Sequence, residues 1–72
     1  MLKKRSVTLR GHATSLALEP DFWSVIDDEL NDTGGSLAGL ITSIDEMREP
    51  NQPLSSACRV WALKRALGAG QH

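Results

Sequence analysis

Four cations, Lys3, Lys4, Arg5 and Arg10, fall within the first ten residues, and no acid precedes Glu19. Cations clustered in this way bind polyanions, above all nucleic-acid phosphates, through a contribution that weakens as salt rises. Residues that could support catalysis are scattered. His12 and His72 stand at opposite ends, Cys58 has no histidine near it, and Ser36, Ser43, Ser55 and Ser56 lack the glycine-framed turn and histidine partner of an activated nucleophile. No histidine and cysteine cluster has metal-site spacing. The chemistry expected is binding rather than catalysis, with no metal and no cofactor.

Charge is ordered along the chain although the net charge is only −1. Residues 1–18 carry four bases, residues 19–49 carry all nine acids with Arg48 as their sole base, and residues 50–72 carry Arg59, Lys64 and Arg65 without an acid. The 72 residues make one domain, and a domain of this size leaves so much surface exposed that a lone chain is marginal, which dimerisation would remedy. Lys3-Lys4-Arg5 is followed by Ser6, Thr8 and Arg10 where a signal peptide needs an apolar stretch, and no apolar run nears the roughly 20 residues of a membrane span. A cytoplasmic protein is expected, with the single Cys58 as a small core residue among Ala57, Val60, Trp61 and Leu63.

The elements that must position these cations are a strand region and three helices. Val7 and Leu9 alternate with polar neighbours, as do Leu16 and Leu18, but the parity changes from odd to even. The register therefore breaks between them, with Gly11 as the site of a bulge or bend; residues 6–10 read as a first strand and 13–18 as a second. Pro20 fits the first helical position, and Phe22, Ile26 and Leu30 form the apolar stripe of a helix over 20–33, opposite Asp27, Asp28, Glu29 and Asp32. Gly34 suits the helix stop and Ser36 the cap of a second helix over 36–48, whose Leu37, Leu40, Ile41, Ile44 and Met47 recur at helical steps. After the prolines Pro50 and Pro53, a third helix over 55–67 should turn Ala57, Val60, Trp61, Leu63 and Leu67 inward and Arg59, Lys64 and Arg65 outward. The terminal 68–72 segment is expected to fray.

Residues 15–47, with the alternating strand, the Glu19-Pro20-Asp21 entry and the Gly35-Ser36-Leu37-Ala38-Gly39-Leu40-Ile41 opening of the second helix, resemble the ribbon-helix-helix family. Lys4-Arg5-Ser6-Val7-Thr8-Leu9-Arg10-Gly11-His12 and Leu54-Ser55-Ser56-Ala57-Cys58-Arg59-Val60-Trp61 extend the likeness to a bacterial subgroup of short ribbon-helix-helix domain proteins. The resemblance implies a mainly α fold with one N-terminal β-strand, in which the strands of two chains form an intersubunit antiparallel ribbon, plus a third C-terminal helix. It implies a homodimer, a shared core of Leu16, Leu18, Phe22, Ile26, Leu40, Ile41 and Ile44, and a basic flexible arm at residues 1–5. Double-stranded DNA is the expected partner and transcriptional regulation the expected role, with Ala13, Ser15 and Ala17 facing base edges. Phosphate would be gripped by backbone N–H groups at Ser36, Leu37 and Ala38 and by Lys3, Lys4, Arg5 and Arg10. Ala13 and Ala17 stand where family readers tend to carry long polar side chains, which keeps open an alternative: a dimeric protein-interaction module, antitoxin-like or adaptor, bound to a partner protein.

Overall fold

The computed structural model describes residues 1–69, Ala69 by its backbone alone, and Gly70, Gln71 and His72 lie outside the described residues. Two strands, β1 (Lys3–Leu9) and β2 (His12–Leu18), precede three helices, α1 (Pro20–Thr33), α2 (Leu37–Met47) and α3 (Leu54–Ala69). The strands pair antiparallel with each other, from Lys3 opposite Leu18 through Ser6 opposite Ser15 to Leu9 opposite His12. Arg10 and Gly11 make the turn, with φ of 52° and 83°. Positive φ at both central residues is what a two-residue hairpin turn needs to match the twist of its strands.

The expectation of one strand per chain is corrected by this hairpin, in which β1 and β2 pair within one chain. The parity change at Gly11 is a chain reversal rather than a bulge. Every cross-strand pair joins an odd to an even position, so Val7 and Leu16 both point inward although their parity differs. Lys3, Lys4 and Arg5 lie within β1 rather than in a flexible arm.

Local signals explain the helices. Pro20 opens α1 without a side-chain cap from Glu19, and Gly34, at φ 72°, closes it by donating its N–H to the Leu30 carbonyl at 2.8 Å. Ser36 caps α2, its hydroxyl accepting the Gly39 N–H at 3.0 Å. Arg48 then braces the loop to α3, with Nε 2.6 Å from Asp45 and Nη1 2.7 Å from the Gln52 carbonyl.

Val7, Leu16, Leu18, Trp23, Ile26, Ile41, Ile44, Ala57 and Cys58 form the core, with Phe22, Leu30, Leu40 and Trp61 at its margin. A core therefore closes inside one chain. The third helix differs in part from expectation: Ala57 and Cys58 face inward as expected and Ala62 joins them, whereas Val60, Leu63 and Leu67 are exposed. Small side chains let α3 lie close against α1 and α2, and Arg59 and Arg65 turn toward α1 because acids await them there.

Candidate nucleic-acid interface

Alternation along the hairpin divides its side chains between two faces. Arg5, Val7, Leu9, Thr14, Leu16 and Leu18 turn toward the helices, fully or partly covered. The outer face carries three cross-strand pairs, Lys4 with Ala17, Ser6 with Ser15 and Thr8 with Ala13. All six are exposed except the half-buried Ala17, and none is acidic. Ala13, Ser15 and Ala17 thus share a surface with Lys4, Ser6 and Thr8, which add three hydrogen-bonding side chains to the one, Ser15, that β2 presents there. Ser6 and Thr8 are absent from the residues expected to face DNA. Their signal was the even-numbered alternation opposite Val7 and Leu9, legible once the segment is read as a hairpin.

The cations do not act as a group. Among the described residues every arginine takes part in an ion pair and no lysine does. Arg5 lies along α1, with Nη1 2.8 Å and Nη2 2.9 Å from the two carboxylate oxygens of Asp27. Its guanidinium also stacks 4.4 Å from the centre of the Trp23 ring, and the Trp23 indole N–H donates to the Lys3 carbonyl at 2.8 Å. The hydrogen bond and charge of Arg5 hold the Asp27 carboxyl below its ordinary range, and Asp27 in turn raises Arg5. In this fold the Arg5 guanidinium is thus engaged by Asp27 and Trp23. Arg10, at the hairpin tip, lies 3.5 Å from Asp45 and 3.7 Å from Glu46, so its charge is compensated as well. Lys3 and Lys4 keep theirs.

The same pairing accounts for the acidic middle of the chain. Arg59 reaches Glu19 at 2.9 Å, and Arg65 bridges Glu29 at 2.7 Å and Asp32 at 2.6 Å. Basic and acidic segments separated in sequence are thus complementary faces in the fold. Solvent-screened pairs of this kind are individually weak, so their effect is to fix α1 against β1 and α3 rather than to supply most of the stability.

At the start of α2, Ser36 uses its hydroxyl on Gly39. The N–H groups of Leu37 and Ala38 have no partner among the described residues and point along the helix axis, the geometry in which helix N-termini take anions. A groove of about 180 Å³ lined by Glu29, Leu30, Gly35, Ser36 and Gly39 adjoins the Ser36 cap. The Glu29 carboxylate in its lining is occupied by Arg65. No three histidine, cysteine or acidic side chains gather as metal ligands among the described residues, and no described helix is long and apolar enough to cross a membrane.

A family model described as "Ribbon-helix-helix domain" matches residues 2–66, which takes in both strands and nearly all of the three helices. No curated protein and no solved structure matches the chain.

Proposed function

The chain belongs to the ribbon-helix-helix family, and from that premise we propose that it is a bacterial, cytoplasmic DNA-binding transcriptional regulator acting as a homodimer. One observation carries this reading: the hairpin face of Lys4, Ser6, Thr8, Ala13, Ser15 and Ala17 is exposed, free of acids and built on two strands. A two-stranded ribbon fits the major groove. There serine and threonine bond to base edges, lysine bonds to guanine, and an alanine or threonine methyl contacts thymine. The Leu37 and Ala38 N–H groups and Lys3 would hold the flanking phosphates and fix the register.

The reading makes the dimer an edge-to-edge one. β1 carries Lys3, Lys4 and Arg5, charges of the kind that blunt a sheet edge, whereas β2 has no lysine, arginine or acid along its seven residues. The outer edge of β2 is thus the one suited to pair with its copy, which would set the two β2 strands side by side as the ribbon that enters the groove, with a β1 strand on either side of it. Ala13 and Ala17 favour the second reading, a dimeric protein-interaction module with weak base readout.

Selection separates the two readings. The protein is incubated with sheared genomic DNA across a salt series, and the fragments held at physiological salt are sequenced. A palindromic motif, lost on replacing Ser6 and Ser15 with alanine, is the expected result. Binding without enrichment that vanishes as salt rises, or no binding at all, contradicts the regulator and favours the interaction module.

A further inference from the structure

Six large apolar side chains are exposed among the described residues. Met1 and Leu2 are at the start of the chain, and the other four, Met47, Val60, Leu63 and Leu67, belong to the end of α2 and to α3. Met47 and Val60 line a groove of about 410 Å³ floored by Ile44, Ala57 and Trp61, and Leu63 and Leu67 continue the Val60 stripe along α3. Exposed apolar surface concentrated in this way marks an interaction site. The distribution within α3 is telling, because the alanines and Cys58 face the core while the bulky residues face away from it.

Two features indicate what covers this face. Positions 60, 63 and 67 follow the three-and-four spacing of a coiled-coil seam, which packs against another helix rather than a flat surface or a small molecule. The rim supplies the second. Glu49 and Lys64 border the groove, and neither has an ionic partner among the described residues although all the arginines do. α3 itself contains no acid, so a like helix laid upon it gains an opposite charge only from the α2 end of the other molecule. That is the arrangement of a two-fold contact, in which one patch meets its own copy and each unlike pair occurs twice.

We propose that the face formed by Met47, Val60, Leu63 and Leu67 docks the same face of a second copy of this chain, with Lys64 of each copy against Glu49 of the other. The contact uses no residue of the hairpin. It is a second self-association surface, distinct from the β2 edge, and it stands whether or not the chain binds DNA.

Light scattering over a concentration series and cysteine cross-linking test it, both without DNA. Leu63→Glu should weaken association through this face by roughly 100-fold or more, since each contact loses two buried leucines and gains two buried charges. Because Leu63 is 54% exposed, the variant should keep its helical content, and its melting temperature should match that of the native chain at concentrations too low for association. Lys64→Glu should weaken association and the double exchange Lys64→Glu with Glu49→Lys should restore it. Leu63→Cys should form a disulfide-linked dimer far faster than Ser24→Cys, on the exposed side of α1. The native Cys58 is buried and stays silent. An unchanged mass series for Leu63→Glu, or cross-linking of Leu63→Cys no faster than that of Ser24→Cys, would overturn the proposal and leave the patch to a foreign partner.

Discussion

Replacing Arg5 with alanine separates a structural arginine from a DNA-contacting one. In the fold its guanidinium makes two hydrogen bonds to Asp27 at 2.8 and 2.9 Å and covers the Trp23 ring at 4.4 Å. The two side chains of the ion pair are 39% and 45% exposed, so solvent screening limits the pair to about 0.5–1 kcal/mol, and the ring contact adds about 0.5–1 kcal/mol. A loss of about 1–2 kcal/mol in a domain of this size lowers the melting temperature by roughly 4–16 °C. Thermal unfolding followed by circular dichroism measures this, and a cycle with Asp27→Asn isolates the pair term. DNA affinity against salt is the companion assay. Arg5→Ala should leave the slope of log K on log salt unchanged, whereas Lys3→Ala should reduce it by about 1 per chain. An unchanged melting temperature together with a reduced slope for Arg5→Ala would refute the reasoning and put this guanidinium on phosphate.

Further outcomes follow from the hairpin, the ion pairs and the cysteine. Gly11→Ala should destabilise the protein by about 1–2 kcal/mol in denaturant titration, because φ is 83° there while open space surrounds the site, so the cost is conformational rather than steric. The carboxyls of Asp27, Glu19 and Asp45 are all held low, chiefly by hydrogen bonds from Arg5, Arg59 and Arg48. Their folded pKa lies below the unfolded one, so their contribution is complete above roughly pH 5 and disappears as pH falls through the folded values; Asp27→Asn should flatten that acid limb in a pH series of unfolding curves. Burial pushes the Cys58 thiol up to about 11, so a thiol reagent at pH 8 should label it only at the rate of global opening, and rapid labelling of the native state would contradict its place in the core.

Signals carried by single residues were the legible ones. Pro20, Gly34 and Ser36 act within a turn of their own positions, and the helices begin and end beside them. The hairpin needed a comparison across the chain: the parity switch between Val7 and Leu16 fits a bulge or a reversal equally well until Arg10 and Gly11 are seen to share positive φ. Arginine in that conformation carries little sequence signal. On α3, Ala57 and Cys58 lie in the core as their sequence implies, but hydrophobicity also points to Val60, Leu63 and Leu67, whereas close approach to α1 and α2 selects the smaller Ala62. The basic arm was misplaced for a related reason, because Arg5 and Asp27 are 22 residues apart and only the fold brings them together. On the candidate interface, Ala13, Ser15 and Ala17 followed from the period of β2 alone, while Lys4, Ser6 and Thr8 depended on knowing the strand beside it.

The most direct test of the central claim is a map of backbone amide shifts as duplex DNA bearing a selected site is added to the labelled protein. The account predicts that the largest changes fall at Lys4, Ser6, Thr8 and Ser15 on the hairpin and at Leu37 and Ala38 at the start of α2. Val60, Leu63 and Leu67 should stay still. Shifts confined to α3, or spread evenly and abolished by moderate salt, would contradict the hairpin face as the surface that reads DNA.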